Sequence, residues 1–283
     1  MRLVFLSCDS LDGFVVDEDI VVKELESQGH TVTTLSWRAD VDWSAFDCAI
    51  IRTTWDYMEC PEEFFLKLEM ISRKTKLMNS LSTVKWNIHK GYLKTFQEKG
   101  VTIVPTFFFK DTKALILPED WNYERVVVKP SISAGSFKTF VYEIKDINSG
   151  RYREALHPGD WMCQPFLPQI KDGETSLIYF NKVFSHALLK VPKTGEFRVQ
   201  EEFGGDIIPL VPTVELLDIG DKIISLVQED LLYARVDLIP FNGHYALMEI
   251  ELIEPALYFR TNKNASMNFI KALLNKSSSA QKS

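Results

Sequence analysis

The sequence predicts an α/β chain, with an amino-terminal parallel sheet and crossover helices, a small β-rich lobe, and a carboxy-terminal mixed-sheet lobe. Three observations carry this expectation. Strand and helix signals alternate through the first hundred residues, short β-branched and aromatic runs broken by Pro and Gly fill Val101 to Tyr142, and apolar strands return after Trp161. With 283 residues, 46% hydrophobic and 25% charged, the chain can bury a core divided over two or three lobes.

In order, Arg2 to Ser7 reads as the first strand, Asp17 to Gln28 as a helix stopped by Gly29, and Thr31 to Trp37 and Cys48 to Arg52 as the next strands. Helices are expected at Pro61 to Lys74 and at Thr83 to Lys99, the latter closed by Gly100. Its Trp86, Leu93 and Phe96 recur at helical spacing, as core positions do. These elements make a first unit over residues 1–100. A lid with strands at Arg125 to Lys129 and Thr139 to Tyr142 occupies 101–163. Strands at Trp161 to Leu167, Thr175 to Phe180 and Val183 to Val191, a helix at Val214 to Leu231, and strands at Tyr233 to Ile239 and Tyr245 to Leu252 make up a third unit to residue 275. The Ser- and Lys-rich stretch 276–283 is expected to fray.

Composition narrows the partners. The formal net charge is -7 and no stretch concentrates Lys and Arg, so nucleic acid is not expected. No apolar run approaches the roughly 20 residues of a bilayer span, and the run before Cys8 is too short for the roughly 7 to 15 residues of a signal core. A cytoplasmic protein away from membranes is the expectation. Cys8, Cys48, Cys60 and Cys163 lack CxxC spacing and read as reduced core thiols.

The densest chemistry lies near the end. In Tyr233-Ala-Arg-Val-Asp-Leu, strand alternation projects Arg235 and Asp237 together, and in Tyr245-Ala-Leu-Met-Glu-Ile-Glu-Leu it projects Glu249 and Glu251 together. A two-residue Asn242-Gly243 hairpin would set Asp237 and Glu249 on opposite faces by parity. A three-residue loop Phe241-Asn242-Gly243, with Gly243 left-handed, is therefore expected. Three carboxylates on one face form a hard oxygen site suited to Mg²⁺, and their apolar flanks argue against a merely solvated face.

These residues bring a resemblance. Arg235-Val236-Asp237 and Glu249-Ile250-Glu251 resemble the R-x-D and E-x-N/E metal-binding strands of the ATP-grasp superfamily. Val126-Val-Val-Lys129-Pro130 resembles its lid strand, Trp86-Asn-Ile-His-Lys90 its earlier phosphate-side lysine, and Ser131-Ile-Ser133-Ala134-Gly135-Ser136 its small-residue flap. Trp161-Met-Cys-Gln164-Pro165-Phe166-Leu167 resembles the adenine-reading segment, Glu174 the ribose-binding carboxylate, and Glu196-Phe-Arg198 with Gly204-Gly205 the R-x-N and Gly-Gly loop of the glutathione synthetase branch. Arg52-Thr-Thr-Trp55-Asp56-Tyr57, His157-Pro-Gly-Asp-Trp161 and Phe184-Ser-His186-Ala resemble the subgroup containing the cyclo-ligase of D-cycloserine biosynthesis. Gln164 stands where many relatives carry Glu, and Glu251 where many carry Asn. His157 reads as a structural histidine.

The resemblance implies an ATP-grasp fold and an ADP-forming, C–N bond-forming ligase. ATP would be held by Lys90, Lys129, the flap residues Ser133 to Ser136, the segment Gln164 to Leu167 and Glu174. One or two Mg²⁺ ions, or Mn²⁺, would sit on Asp237, Glu249 and Glu251. Arg198 and Arg235 would stabilise the oxyanion formed when an amine attacks an acyl phosphate. The strand ends of the first unit point to Asp9, Arg52, Trp55, Asp56 and Tyr57, with Gly204 and Gly205, for the substrate, because open parallel sheets bind ligands at their carboxyl edge. Small carboxylate and amine substrates are the expected partners, with a homodimer left open. A nucleotide-binding regulator without turnover and a phosphotransferase remain the competing functions.

Overall fold

A computed structural model describes residues 1–111, 115–119 and 121–279. The first sheet comprises β1 (Arg2–Ser7), β2 (Thr31–Ser36) and β3 (Cys48–Thr53), with α1 (Glu18–Ser27) between β1 and β2. After α2 (Pro61–Ser72) comes a strand that the sequence reading missed, β4 (Lys76–Met78). All pairings are parallel, in the order β2-β1-β3-β4. Val4, Leu6, Ala49 and Ile51 are buried among Trp37, Phe64, Leu68 and Ile71 on one face of this sheet, while Leu3, Phe5 and Ile50 join Val21 and Leu25 on the other.

The single helix expected from Thr83 to Lys99 is two, α3 (Leu81–Asn87) and α4 (Tyr92–Glu98). The break has a tertiary cause. The Asn87 side chain donates to Ile250 O at 2.9 Å and accepts from Leu252 N at 2.9 Å, and the Lys90 backbone N donates to Ser131 O at 2.8 Å. Those long-range bonds outbid the helical ladder over residues 88–91.

The second sheet has β5 (Phe107–Lys110), β6 (Arg125–Pro130), β7 (Phe140–Glu143) and, after α5 (Ile144–Asn148), β8 (Asp160–Pro165), antiparallel in the order β5-β8-β6-β7. The third has β9 (Glu174–Phe180), β10 (Val183–Val191) and β11 (Asp206–Leu210). After α6 (Val214–Leu226) come β12 (Tyr233–Phe241) and β13 (His244–Glu251), and the order is β11-β10-β9-β12-β13. Its strands pair antiparallel throughout, so the expected mixed sheet reduces to one parallel bridge, Ile103 to Leu247, on the β13 edge. Helix α6 lies close against this sheet because Gly220 carries no side chain. A Cβ there would stand 2.3 Å from the Tyr179 hydroxyl and 2.6 Å from Leu177 Cδ1.

The chain closes with α7 (Ala265–Ser279), which the sequence reading did not expect and which replaces fraying from residue 276 with helix through Ser279. Lys276 is buried there, paired with Asp230, and its carbonyl accepts from Lys76 Nζ at 2.7 Å. Phe269, Ile270 and Leu273 of α7 share a core with Leu3, Phe5, Phe180 and Tyr233, so the first and third sheets are packed through one apolar cluster. Asn79 joins the same units by bonding three backbone groups, at Leu232, Tyr233 and Leu252.

Candidate active site

The hairpin β12–β13 decides how the acidic residues meet. Its loop has two residues, not three: Asn242 and Gly243 sit at φ 51° and 81°, the left-handed pair of a tight hairpin turn. The parity this turn would impose is reversed by a bulge. Leu238 pairs with Leu247 and Asp237 with Glu249, leaving Met248 as the extra residue. The common face expected of the carboxylates is thus present, reached by a bulge rather than an odd loop. Ala234, Val236 and Leu238 enter the core beneath α6, while Arg235 and Asp237 look the other way with Glu249 and Glu251.

Around them the face is a closed ionic network. Asp237 is fully buried and takes the Arg235 guanidinium on both oxygens, at 3.1 and 2.9 Å, with the Ser176 hydroxyl at 2.5 Å. Glu251 takes the same guanidinium, whose other arm donates to Ala256 O at 3.3 Å. Lys190, a residue the sequence reading passed over, lies buried with Nζ 2.5 Å from Glu174 and 3.3 Å from Asp237. Its signal was available: a lysine inside Ala187-Leu-Leu-Lys-Val must be matched when the strand is buried. Lys90 Nζ stands 3.1 Å from Glu249 and donates to Ser133 O at 2.7 Å.

Electrostatics divides the carboxyls. Burial would push Asp237 up, but Arg235 and Lys190 outweigh it and hold it below the usual range; Glu249 is likewise held low against burial by Lys90, Lys129 and Arg235. For Glu251 burial wins over Arg235, raising it to about 8, and burial also raises Glu174 against Lys190. Burial pushes the Lys129 ammonium below its ordinary value. Asp237, Glu249 and Glu251 each offer an oxygen within 4.8 Å of the others. That hard donor set, with Glu251 short of positive charge, fits a divalent cation.

Two cavities meet at this network. The first, a cleft of about 820 Å³, gathers Lys129, Ser133 to Ser136, Gln164 to Leu167, Glu174, Arg198 and Glu249 from the second and third sheets and their loops, with Lys90 from the break between α3 and α4. Val104, Val127, Ile170, Phe197, Gln200, Ile239 and Met248 also line it; the sequence reading assigned none of them to the site and set Met248 on the face opposite Glu249 and Glu251. Met248 reaches it by being the bulged residue. Gln164 Nε2 donates to the Thr106 hydroxyl at 3.0 Å, which fixes the amide; the Phe166 N–H is already bonded to Arg125 O at 2.9 Å. Ser136, at φ 60°, donates to Gln200 Oε1 at 3.1 Å and ties the flap to the loop after Arg198.

The second cavity, about 1260 Å³, shares Ala134, Gly135 and Gln200 with the first and reaches Lys190, Arg235 and Glu251. Arg198 and Arg235 therefore line different cavities. Arg198 is paired with Glu196 and stacked 3.7 Å over Phe203.

Of the residues expected to touch substrate, Trp55 alone lines this second cavity, against Phe14 at 5.0 Å between ring centres. Arg52 is 1% exposed; its Nη2 donates to Glu18 at 2.8 Å and to Pro255 O at 3.0 Å while Nε and Nη1 are buried without a hydrogen-bond partner, so the residue ties units together and lines neither cavity. Asp56 accepts from Trp37 Nε1 and pairs with Arg38, and Asp9 lies 3.5 Å from the same Arg38. Tyr57 is buried beside Phe64 and faces Glu254. Gly204 and Gly205 line neither cavity. Gly204 has φ 81°, and a Cβ on Gly205 would come 2.3 Å from Val199 O, so both serve the tight turn of the loop.

The sequence and fold have known counterparts. Residues 90–264 match the family described as prokaryotic glutathione synthetase, ATP-grasp domain, and residues 3–79 match D-cycloserine synthetase DcsG, N-terminal domain. The chain is 26% identical to the cycloserine biosynthesis protein DcsG of Streptomyces lavendulae, across 96% of this chain and 98% of that one. It is also 26% identical to a glutathione synthetase of Prochlorococcus marinus, across 89% and 86%. The crystal structure of D-cycloserine synthetase DcsG superposes with a TM-score of 0.84 at 23% identity, covering 98% of this chain and 100% of that one. A D-alanine–D-alanine ligase from Bacillus anthracis complexed with ATP gives 0.69 at 14% identity, covering 100% and 99%. The chain belongs to the ATP-grasp family of the prokaryotic glutathione synthetase type and is an ATP-dependent ligase that forms C–N bonds.

Proposed function

We propose that the enzyme activates a small, amino-acid-like carboxylate as an acyl phosphate and passes the acyl group to an amine, intermolecularly or by ring closure. The observation that carries this reading is the junction of the two cavities at the flap residues Ala134 and Gly135 and at Gln200, with Glu249 of the acidic trio lining the first cavity and Glu251 the second. It gives the γ-phosphate of ATP in one cavity a route to a carboxylate in the other.

Lys90, Lys129 and the flap amides of residues 133–136 cradle the phosphates, the segment Gln164 to Leu167 holds the adenine, and Glu174 the ribose hydroxyls. A divalent cation on Asp237, Glu249 and Glu251 would neutralise phosphate charge during transfer. A carboxylate oxygen attacks the γ-phosphorus and ADP leaves. The amine nitrogen then attacks the carbonyl carbon, phosphate leaves and the nitrogen loses a proton. Arg235 stands on the substrate side of the network to meet the oxyanion, and Arg198 on the nucleotide side, where it lies near the leaving phosphate. Burial of the network supports the same reading, because phosphoryl transfer must exclude water. No side-chain nucleophile is required.

A screen of amino acids and small amines for substrate-dependent ADP release, with hydroxylamine as trap, tests this. A hydroxamate is expected, and Glu249→Gln should lower ADP release by more than about tenfold while leaving the fold intact. ADP release that never yields a hydroxamate, or a stable phosphorylated product, would overturn the acyl phosphate.

A further inference from the structure

We propose that the second cavity binds its substrate as a cationic primary amine, anchored by Glu254 and enclosed by an aromatic wall, and that it has no place for a carboxylate other than the one activated. The inference rests on the ligase reading above and names the substrate class of that site.

Charge is the first argument. Among the described residues the cavity is lined by six carboxylates, Asp12, Glu59, Glu201, Glu202, Glu251 and Glu254, against two cations, Lys190 and Arg235; Glu201 is paired with Arg260 and Glu251 with Arg235, which leaves Asp12, Glu59, Glu202 and Glu254 outside any ion pair. Both cations are committed within the fold, Lys190 to Glu174 and Asp237, and Arg235 to Asp237 and Glu251. A second substrate carboxylate would enter a negative field in which Lys190 is held by Glu174 and Asp237, and Arg235, bonded to Asp237 and Glu251, serves the reacting carbonyl.

Glu254 supplies the second argument. Its residue is 5% exposed, it lines the cavity, and it has no ion-pair partner among the described residues. The Tyr57 hydroxyl faces it, and Lys90 and Arg235, which are paired with Glu249, Asp237 and Glu251, act on it only from beyond ion-pair distance. One hydroxyl gives one donor to a carboxylate with about four acceptor sites. A buried carboxylate so poorly matched is costly unless something charged completes it, and an ammonium brings three donors and the missing charge. The backbone around it is fixed, since Trp55 Nε1 donates to Glu254 O at 2.9 Å.

The walls suit the rest of such a ligand. Phe14 and Trp55 stand together on one side, and Phe203 and Tyr258 also face the cavity. Aromatic faces attract an organic cation and cover a carbon body at once. The ammonium held here is the recognition group; attack on the acyl phosphate needs a neutral nitrogen.

Calorimetry on the full chain loaded with Mg²⁺ and AMP-PNP tests this without turnover, using 2-phenylethylamine, 2-phenylethanol and 3-phenylpropionate near neutral pH. The amine should bind at least about tenfold more tightly than the alcohol, and the acid most weakly. Glu254→Gln should abolish the preference for the amine without a matching change in AMP-PNP affinity. Glu254→Asp, which keeps the charge but withdraws it, should weaken the amine and not the alcohol. Equal binding of amine and alcohol by the wild type, a preference surviving in Glu254→Gln, or the acid matching the amine would overturn the proposal. The ligase reading fails separately, by absence of hydroxamate in the trapping assay.

Discussion

Lys190 is a direct test of the buried network, because it is buried in the third sheet between two carboxylates, Glu174 and Asp237. Its Nζ lies 2.5 Å from Glu174 and 3.3 Å from Asp237, and the residue is 3% exposed. Burial opposes its charge, yet Asp237 and Glu174 together raise its affinity for the proton. At an effective dielectric near 20, a unit pair at the Asp237 distance attracts by about 5 kcal/mol, and much of this is cancelled by desolvation. Replacing Lys190 with Met removes the attraction but leaves the desolvation, since Glu174 loses its ion-pair partner. Breaking a buried pair in this way costs about 3–5 kcal/mol. Urea unfolding of both proteins at neutral pH, without nucleotide or metal, would measure it. The deficit should shrink as pH falls and the stranded carboxylates protonate. A loss under about 1 kcal/mol, the range of exposed pairs, would mean that Lys190 is solvated and the network open.

Two further outcomes follow from the same packing. Arg52→Met should lower stability by about 3–5 kcal/mol through the stranded Glu18 carboxylate, with little change in substrate KM, and urea unfolding beside steady-state kinetics separates the two effects. His186 is buried, with Nε2 2.9 Å from Leu257 O, and burial lowers its pKa from 6.5 to about 4. The unfolded chain therefore binds a proton that the folded chain refuses. Stability should be flat above pH 6.5 and fall as pH drops toward 4, by up to about 3 kcal/mol from this group. His186→Gln should remove that part of the slope, and an unchanged difference curve in pH-dependent unfolding would show that the ring titrates freely.

What the sequence disclosed were local regularities. Alternation along β12 and β13 placed Arg235 and Asp237 on one face and Glu249 and Glu251 on one face, and β10 was expected with the bounds it has, Val183 to Val191. Helix breaks and bulges were not legible, because their causes lie elsewhere in the chain. Asn87 ends α3 by bonding to a strand more than 160 residues away, and Leu247, next to the bulged Met248, exchanges backbone bonds on its outer edge with Thr102 and Val104. The turn at Asn242-Gly243 was read as a parity problem with one solution, an extra loop residue, when an extra strand residue solves it equally well. Helix α7 was overlooked because its stripe of Ala265, Phe269 and Leu273 covers the first sheet as well as the third, a surface that no local pattern announces.

The hardest distinction was between charges that belong to the fold and charges that face a ligand. Arg52 and Glu254 are equally buried to a sequence reader, each flanked by apolar residues at the end of a strand. They differ in whether the fold supplies a counterion. Arg52 receives one from Glu18, 34 residues earlier on α1, whereas Glu254 is faced by a hydroxyl and is in no ion pair among the described residues, Lys90 and Arg235 reaching it only at a distance. A committed charge stabilises the assembly and is invisible to substrate; an uncommitted one raises the free energy of the empty site, and that excess is recovered when a ligand of opposite charge arrives. Which side of that line a residue falls on depends on contacts closed over long stretches of chain. Strand parity could therefore point to the ionic face, while the carboxyl-edge rule for parallel sheets chose Arg52 for the pocket where the three-dimensional pairing leaves Glu254.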